Sequence, residues 1–230
     1  MPRIRLTLLA CLALLLAACQ SPAPRPSAPV FDDPPVQQWL QGRAQALAGG
    51  APVVVEVVDG PRVQAELLPD GRLRIGRALL LRTRDEAEVT FVLAHELAHG
   101  LLGHFERRAA AGTAWDALEA EREADREALD ALRQMGLRPD AATSLLSVVA
   151  GERSLDPGVD REGLALVEQR LEVLWEQVAG AGSHPMRAQD GWRALMDTRF
   201  EAWLADDPAA GDPARAALVR EHVRRPAAGP

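Results

Sequence analysis

"FVLAHELAHGLLGH", residues 91–104, places histidines at positions 95 and 99 with Glu96 directly after the first. On an α-helix, positions four apart lie on one face, so both imidazoles can reach one metal ion. Glu96 then stands beside the metal, where a base can activate water. Chance is the rival reading: with so few histidines, such a pattern arises in about one in a hundred chains of this composition. The rest of the chain has to supply a third ligand, a site and a place to work.

The 230 residues carry a formal charge of −7, and 47% of them are hydrophobic, which suits one domain with a real core. Lys, Asn and Tyr are absent, and every basic side chain is Arg. That bias reflects a GC-rich genome rather than function. An acidic balance argues against a nucleic-acid partner.

The first residues, "MPRIRLTLLACLALLLAACQSP", read as an export signal. Arg3 and Arg5 form its positive start, and the apolar run that follows is shorter than the ~20 residues of a comfortable membrane span. The run ends in Leu16-Ala17-Ala18-Cys19, which resembles a bacterial lipobox. Residues 1–18 are therefore expected to be a lipoprotein signal peptide and Cys19 the lipidated residue. Lipid at Cys19 would anchor the protein to a membrane facing the periplasm; Gln20 favours the outer one. Residues 19–35 are Pro-rich and read as an extended tether. Removing the signal takes away Cys11 and leaves no free thiol for catalysis or metal binding.

Residues 36–230 read as one α+β domain, mostly helical with a small N-terminal sheet. A short helix is expected from Val36 to Ala48. "PVVVEVV", residues 52–58, reads as a strand, and Pro69-Asp70-Gly71 turns a hairpin between "RVQAELL" and "RLRIG". Thr83, with Glu86 three residues on, is a candidate N-cap. The helix that follows, expected from Asp85 to Arg108, is apolar nearly all round and so belongs at the centre. A second long helix is expected from Ala114 to Met135, stopped by Gly136. Shorter helices are expected at 140–150, 160–180, 187–204 and 213–224.

The second long helix supplies the third ligand. Ala114, Leu118, Glu121, Asp125, Ala128 and Leu132 are spaced four, three, four, three and four, which makes an apolar stripe containing two acids. Buried carboxylates need partners. A metal ion and a metal-bound imidazole would serve; solvation at the stripe's edge or pairing with Arg is the alternative. His95, His99 and Glu121 together leave a fourth position open, the pattern of a catalytic rather than a structural zinc. Asp125, one turn on, is placed to hold the far nitrogen of a ligand imidazole.

Here the sequence resembles the HtpX and CAAX-prenyl-protease family of gluzincin zinc metallopeptidases. The resemblance rests on HELAH, on Glu121-Arg122-Glu123-Ala124-Asp125, and on Ser183-His184-Pro185, and it spans residues 52–195. It implies a zincin-like fold in which the HELAH helix packs against the helix carrying Glu121. It also implies one Zn²⁺ on His95, His99 and Glu121, with Glu96 as catalytic base. The implied activity is a zinc endopeptidase that removes misfolded or misassembled cell-envelope proteins. The chain departs from that family in its short gap between the motifs and in Asp190, where an Arg is common.

His184 is the candidate oxyanion donor. With no Tyr, two histidines on the metal, and His222 expected on an exposed terminal helix, it is the histidine left over. It would either stabilise the transition state or close the metal in a resting state. His104 lies about half a turn round from His95 on a continuous helix, so it is expected to face away from the metal. Trp192 is a core residue or lines the cleft. One rival reading is a chaperone-like or binding lipoprotein with a structural or autoinhibited zinc site. Another is a cytoplasmic regulatory peptidase, against which the signal and lipobox count.

Overall fold

The computed structural model describes residues 29–60, 63–155, 158, 160–179 and 191–225. The signal peptide, Cys19 and His184 lie outside the described residues. Within them the chain is mostly helical around one three-stranded sheet.

Helix α1, Pro34–Leu47, starts where the Asp33 carboxylate accepts the Val36 amide and Pro34 presets the first turn. It buries Val36, Leu40 and Ala44 against the sheet. Its Gln41 accepts the Val55 amide at 2.9 Å and donates to the Val53 carbonyl at 2.8 Å, which covers one sheet edge. The strands are β1 (Val54–Val58), β2 (Ala65–Leu67) and β3 (Arg72–Gly76), in the spatial order β1-β3-β2. The expected hairpin joins β2 to β3, with Ala65 opposite Ile75 and Gly71 at φ 83° in its turn. β3 also lies parallel to β1, Val54 facing Arg72, so β2 is left at the open edge.

A single helical turn, α2 (Arg77–Leu80), leads into the central helix α3, Glu86–Leu101. Its N-cap is Asp85, which accepts the Glu88 amide, and not Thr83. Thr83 instead donates to the Leu80 carbonyl at 2.6 Å and accepts from Trp192 Nε1 at 2.9 Å. Trp192 is fully buried beside Trp39, so it belongs to the core and not to a cleft.

The apolar character of α3 has a simple origin. Val89, Val92 and Leu93 join a core with the sheet, α1 and the C-terminal helices. Ala87, Phe91 and Ala94 join a second core with Ala128, Leu129 and Leu132. The helix lies between two apolar clusters, so it has little polar face to show.

The expected continuation to Arg108 fails at Gly103. There φ is 65°, a left-handed value suited to glycine, and a separate helix α4, His104–Ala111, begins. Helix α5 runs Ala117–Gln134, later than expected, from an Asp116 cap that accepts the Glu119 amide; Ala114 ends a short 3-10 turn before it. It stops as expected at Gly136, where the Leu137 amide bonds the Leu132 carbonyl at 2.8 Å and the Gly136 amide bonds that of Arg133 at 3.1 Å. Helices α3 and α5 form the most extensive helix contact among the described residues.

Among the described residues, five α-helices follow: α6 (Ala141–Ser154), α7 (Arg161–Ala179), α8 (Gly191–Asp197), α9 (Phe200–Ala205) and α10 (Pro213–Arg224). The last of them, α10, and the turn before α6 are tied to the start of α3 by buried ions. Glu88, with no exposed surface, accepts from Arg138 at 2.8 Å and from the Arg84 amide at 2.6 Å. His222 Nε2 lies 3.0 Å from Glu88, so this histidine is buried rather than exposed as the sequence implied.

Burial opposes ionisation of Glu88, but the hydrogen bond from His222 and the charges of His222, Arg138 and Arg84 outweigh it and lower its pKa. A lowered carboxylate contributes stability above its unfolded pKa and loses it as pH falls through the folded value. Glu88→Ala removes this anion and strands its cations. The expected cost is about 3–5 kcal/mol in urea unfolding at neutral pH, shrinking in acid.

Candidate metal centre

The site is built where α3 crosses α5. His95 and His99 fall on one face of α3, one turn apart, and Glu121 reaches them from the second turn of α5. Among the described residues this is the group that can hold a metal ion, with one ligand atom from each side chain all within 4.8 Å of one another. His95 Nε2 lies 3.2 Å from His99 Nε2 and 3.3 Å from Glu121 Oε2, and His99 Nε2 lies 3.6 Å from Glu121 Oε1. Tetrahedral zinc with bonds of about 2.0–2.1 Å sets its ligand atoms about 3.3 Å apart. Two imidazoles and a carboxylate at this spacing fit zinc.

Each ligand is held from behind. Asp125 Oδ1 lies 2.9 Å from His95 Nδ1, within reach of both a hydrogen bond and the attraction of charge. Asp125 is buried and is gripped by Arg170, whose Nε and Nη2 donate at 2.9 and 2.7 Å. Arg170 Nη1 reaches Glu121 Oε2 at 2.8 Å. One guanidinium thus fixes both Glu121 and Asp125 of α5.

Arg170 is a functional residue that the sequence motifs do not single out. The signal was present: Val167, Arg170 and Leu174 are the buried stripe of α7, spaced three and four, with one charge on it.

Glu96 points to the sheet side, where the Leu67 amide of edge strand β2 donates to its Oε2 at 3.1 Å. Gly100, one turn later, permits this approach; a Cβ there would meet Leu67 Cδ2 at 2.6 Å. Glu96, the two histidines and Glu121 open into a cleft of about 470 Å³ floored by Phe91, Leu145, Val149 and Val167.

Burial and the nearby positive charge of Arg170 oppose protonation of His95, but hydrogen bonds to Asp125 and Glu121 outweigh both and lift it to about 9. Burial, with the neighbouring charge of His95, lowers His99 to about 4. Burial opposes ionisation of Glu121, yet the His95 hydrogen bond and the Arg170 charge lower it to about 2. Burial raises Glu96 above the ordinary carboxylate value, the direction a general base at neutral pH requires.

A metal needs both imidazoles neutral, so at neutral pH its binding must expel one proton, that of His95. Acid therefore weakens binding and alkali strengthens it until His95 is neutral. Zinc affinity is expected to rise about tenfold per pH unit from about pH 7 to about pH 8.5. Titration against a competing chelator checks this; a profile flat above pH ~7 would show that His95 is already neutral there.

Known proteins resemble the chain over this region. The sequence profile of Peptidase family M48 matches residues 32–118, which hold His95, Glu96 and His99 and end before Glu121. The mitochondrial metalloendopeptidase OMA1 of Danio rerio is 39% identical over 70 residues, 30% of this chain and 15% of that protein. Its Homo sapiens counterpart is 38% identical over 56 residues, 24% of this chain. The match spans only 11% of the human protein's length. The similarity supports a relationship to M48 metallopeptidases, and the mostly helical fold with its small sheet is consistent with such a domain.

Proposed function

We propose that this chain is a zinc-dependent endopeptidase acting on misfolded or misassembled proteins of the cell envelope. The observation that carries the reading is Glu96, half-buried and held by Leu67, beside a triangle of donor atoms spaced for zinc. Zinc, when bound by His95, His99 and Glu121, supplies a Lewis acid that polarises a carbonyl and makes water acidic near neutral pH.

The chain's own residues do the rest. The Leu67 amide occupies Glu96 Oε2, which leaves Oε1 to take the proton of the attacking water and pass it to the leaving nitrogen. An extended substrate adds beside β2, the open edge of the sheet. The apolar floor of the cleft accepts hydrophobic side chains, which only an unfolded protein exposes in number. We assign His184 to the developing oxyanion on the sequence alone, as donor or as a plug in the resting state.

Glu96→Gln keeps the shape of the side chain and removes the base. It should bind zinc as the native protein does and cut an unfolded outer-membrane protein about 10²–10⁴-fold more slowly. Chelation should abolish cutting by the native protein and zinc should restore it. Cleavage by the Gln variant at the native rate would sink the mechanism, and zinc-dependent binding of substrate without cleavage would favour a chaperone.

For location, we propose a periplasmic lipoprotein, with Cys19 carrying the lipid and the Pro-rich residues that follow it spanning the gap to the domain. Cys19→Ser should abolish labelling by a fatty-acid probe and leave the precursor uncut. Continued labelling would refute the anchor.

A further inference from the structure

The two histidines of the centre are backed differently. His95 has the carboxylate of Asp125 behind it. His99 has a third histidine: its Nδ1 lies 2.7 Å from Nδ1 of His104, and His104 Nε2 lies 2.9 Å from Glu123 Oε2. Arg107 completes the chain, donating to Glu123 at 2.5 Å. On an unbroken helix His104 would stand about 140° round from His99. The left-handed Gly103 starts a new helix and swings the His104 ring back over His99, 4.9 Å between centroids. His104 is 3% exposed, with Trp115 at 6.0 Å on its other side.

Proton counting allows one arrangement for neutral rings. Glu123 is an acceptor, so His104 carries its proton on Nε2 and donates it there. His104 Nδ1 is then a lone pair, so the hydrogen between the two Nδ1 atoms belongs to His99. His99 is thereby left with a free lone pair on Nε2, the atom that faces His95 and Glu121.

We propose that His104 and Glu123 are positioning residues of the metal centre. Through His99 they fix the tautomer and the ring orientation that a metal ligand needs. This inference rests on the zinc reading above. It adds two residues that touch neither substrate nor metal, and it gives α4 a task.

The test uses the full chain in detergent and zinc alone, with affinity measured by chelator competition and melting of the metal-free protein measured in parallel. His104→Phe keeps a ring but offers no acceptor. His104→Asn places an amide oxygen near the position of Nδ1. Glu123→Ala breaks the far end at a partly exposed site.

His104→Phe should lower zinc affinity about 10–100-fold. His104→Asn should restore it to within a few-fold of native, and Glu123→Ala should fall between native and His104→Phe. Metal-free melting should not follow that order. Native affinity in His104→Phe would overturn the proposal. So would equal losses in the Phe and Asn variants that track their melting, since His104 would then serve only to start α4. If His104→Phe fails to fold, native affinity in Glu123→Ala overturns it instead. A native chain that binds no zinc would fail the function reading itself, which is a different result from zinc held without help from His104.

Discussion

Two carboxylates sit on the inward side of α5 because one guanidinium from α7 meets them both. Isolated buried carboxylates are too costly to keep ionised. Arg170 offsets one of the two negative charges of Glu121 and Asp125 and holds both in place with hydrogen bonds. That leaves one negative charge uncompensated. A proton on His95 cancels it, which is why this histidine is pushed so far above an ordinary imidazole. Charge neutrality thus links the helix that carries the third ligand, the helix that braces it, and the ionisation of the first histidine. Holding the two acids in place before any cation arrives also lowers the reorganisation that binding would otherwise require.

The same device recurs away from the centre. Arg82, 1% exposed, donates to Glu152 of α6 and Asp207, while Glu152 also receives Arg215 of α10. Together with the Glu88 cluster this ties the last helices to the segment between sheet and α3. Such buried networks add little net stability over well-packed apolar groups, but they tolerate few alternative arrangements. A chain rich in Arg, with small Ala residues along its helices, gains from them a defined register where Ala packing alone would slide.

Much of this was readable in the sequence, and the failures share a cause. The strands, the hairpin at Gly71 and the stop at Gly136 rest on local chemistry, which a linear reading handles well. The spacing of His95 and His99, and of Glu121 and Asp125, becomes geometry as soon as the residues are helical. Pairing across elements is where the reading falls short. Nothing local to β1 and β3 says that they lie side by side and parallel. His222 looked exposed because its partner, Glu88, is far away in the chain. On one continuous helix over residues 85–108 His104 would face away from the metal, but the chain breaks at Gly103. A glycine inside an apolar helical pattern is ambiguous, since only the folded chain shows whether it takes a left-handed angle. Arg170 was overlooked because a lone Arg among helical charges looks ordinary until its neighbours at 167 and 174 are seen to be buried.

The Leu67–Glu96 hydrogen bond carries a consequence for the sheet itself. Gln64 and Leu68 bond across to β3, so by alternation Ala65 and Leu67 turn their backbone groups to the open edge. Leu67 spends its N–H on Glu96, and β2 is only three residues long. Within β2 the free edge is therefore very short, with Ala65 the residue that turns both backbone groups outward unengaged by Glu96. Long, open edges invite chains of one kind to stack without limit. An edge this short gives a growing stack of identical chains little to build on.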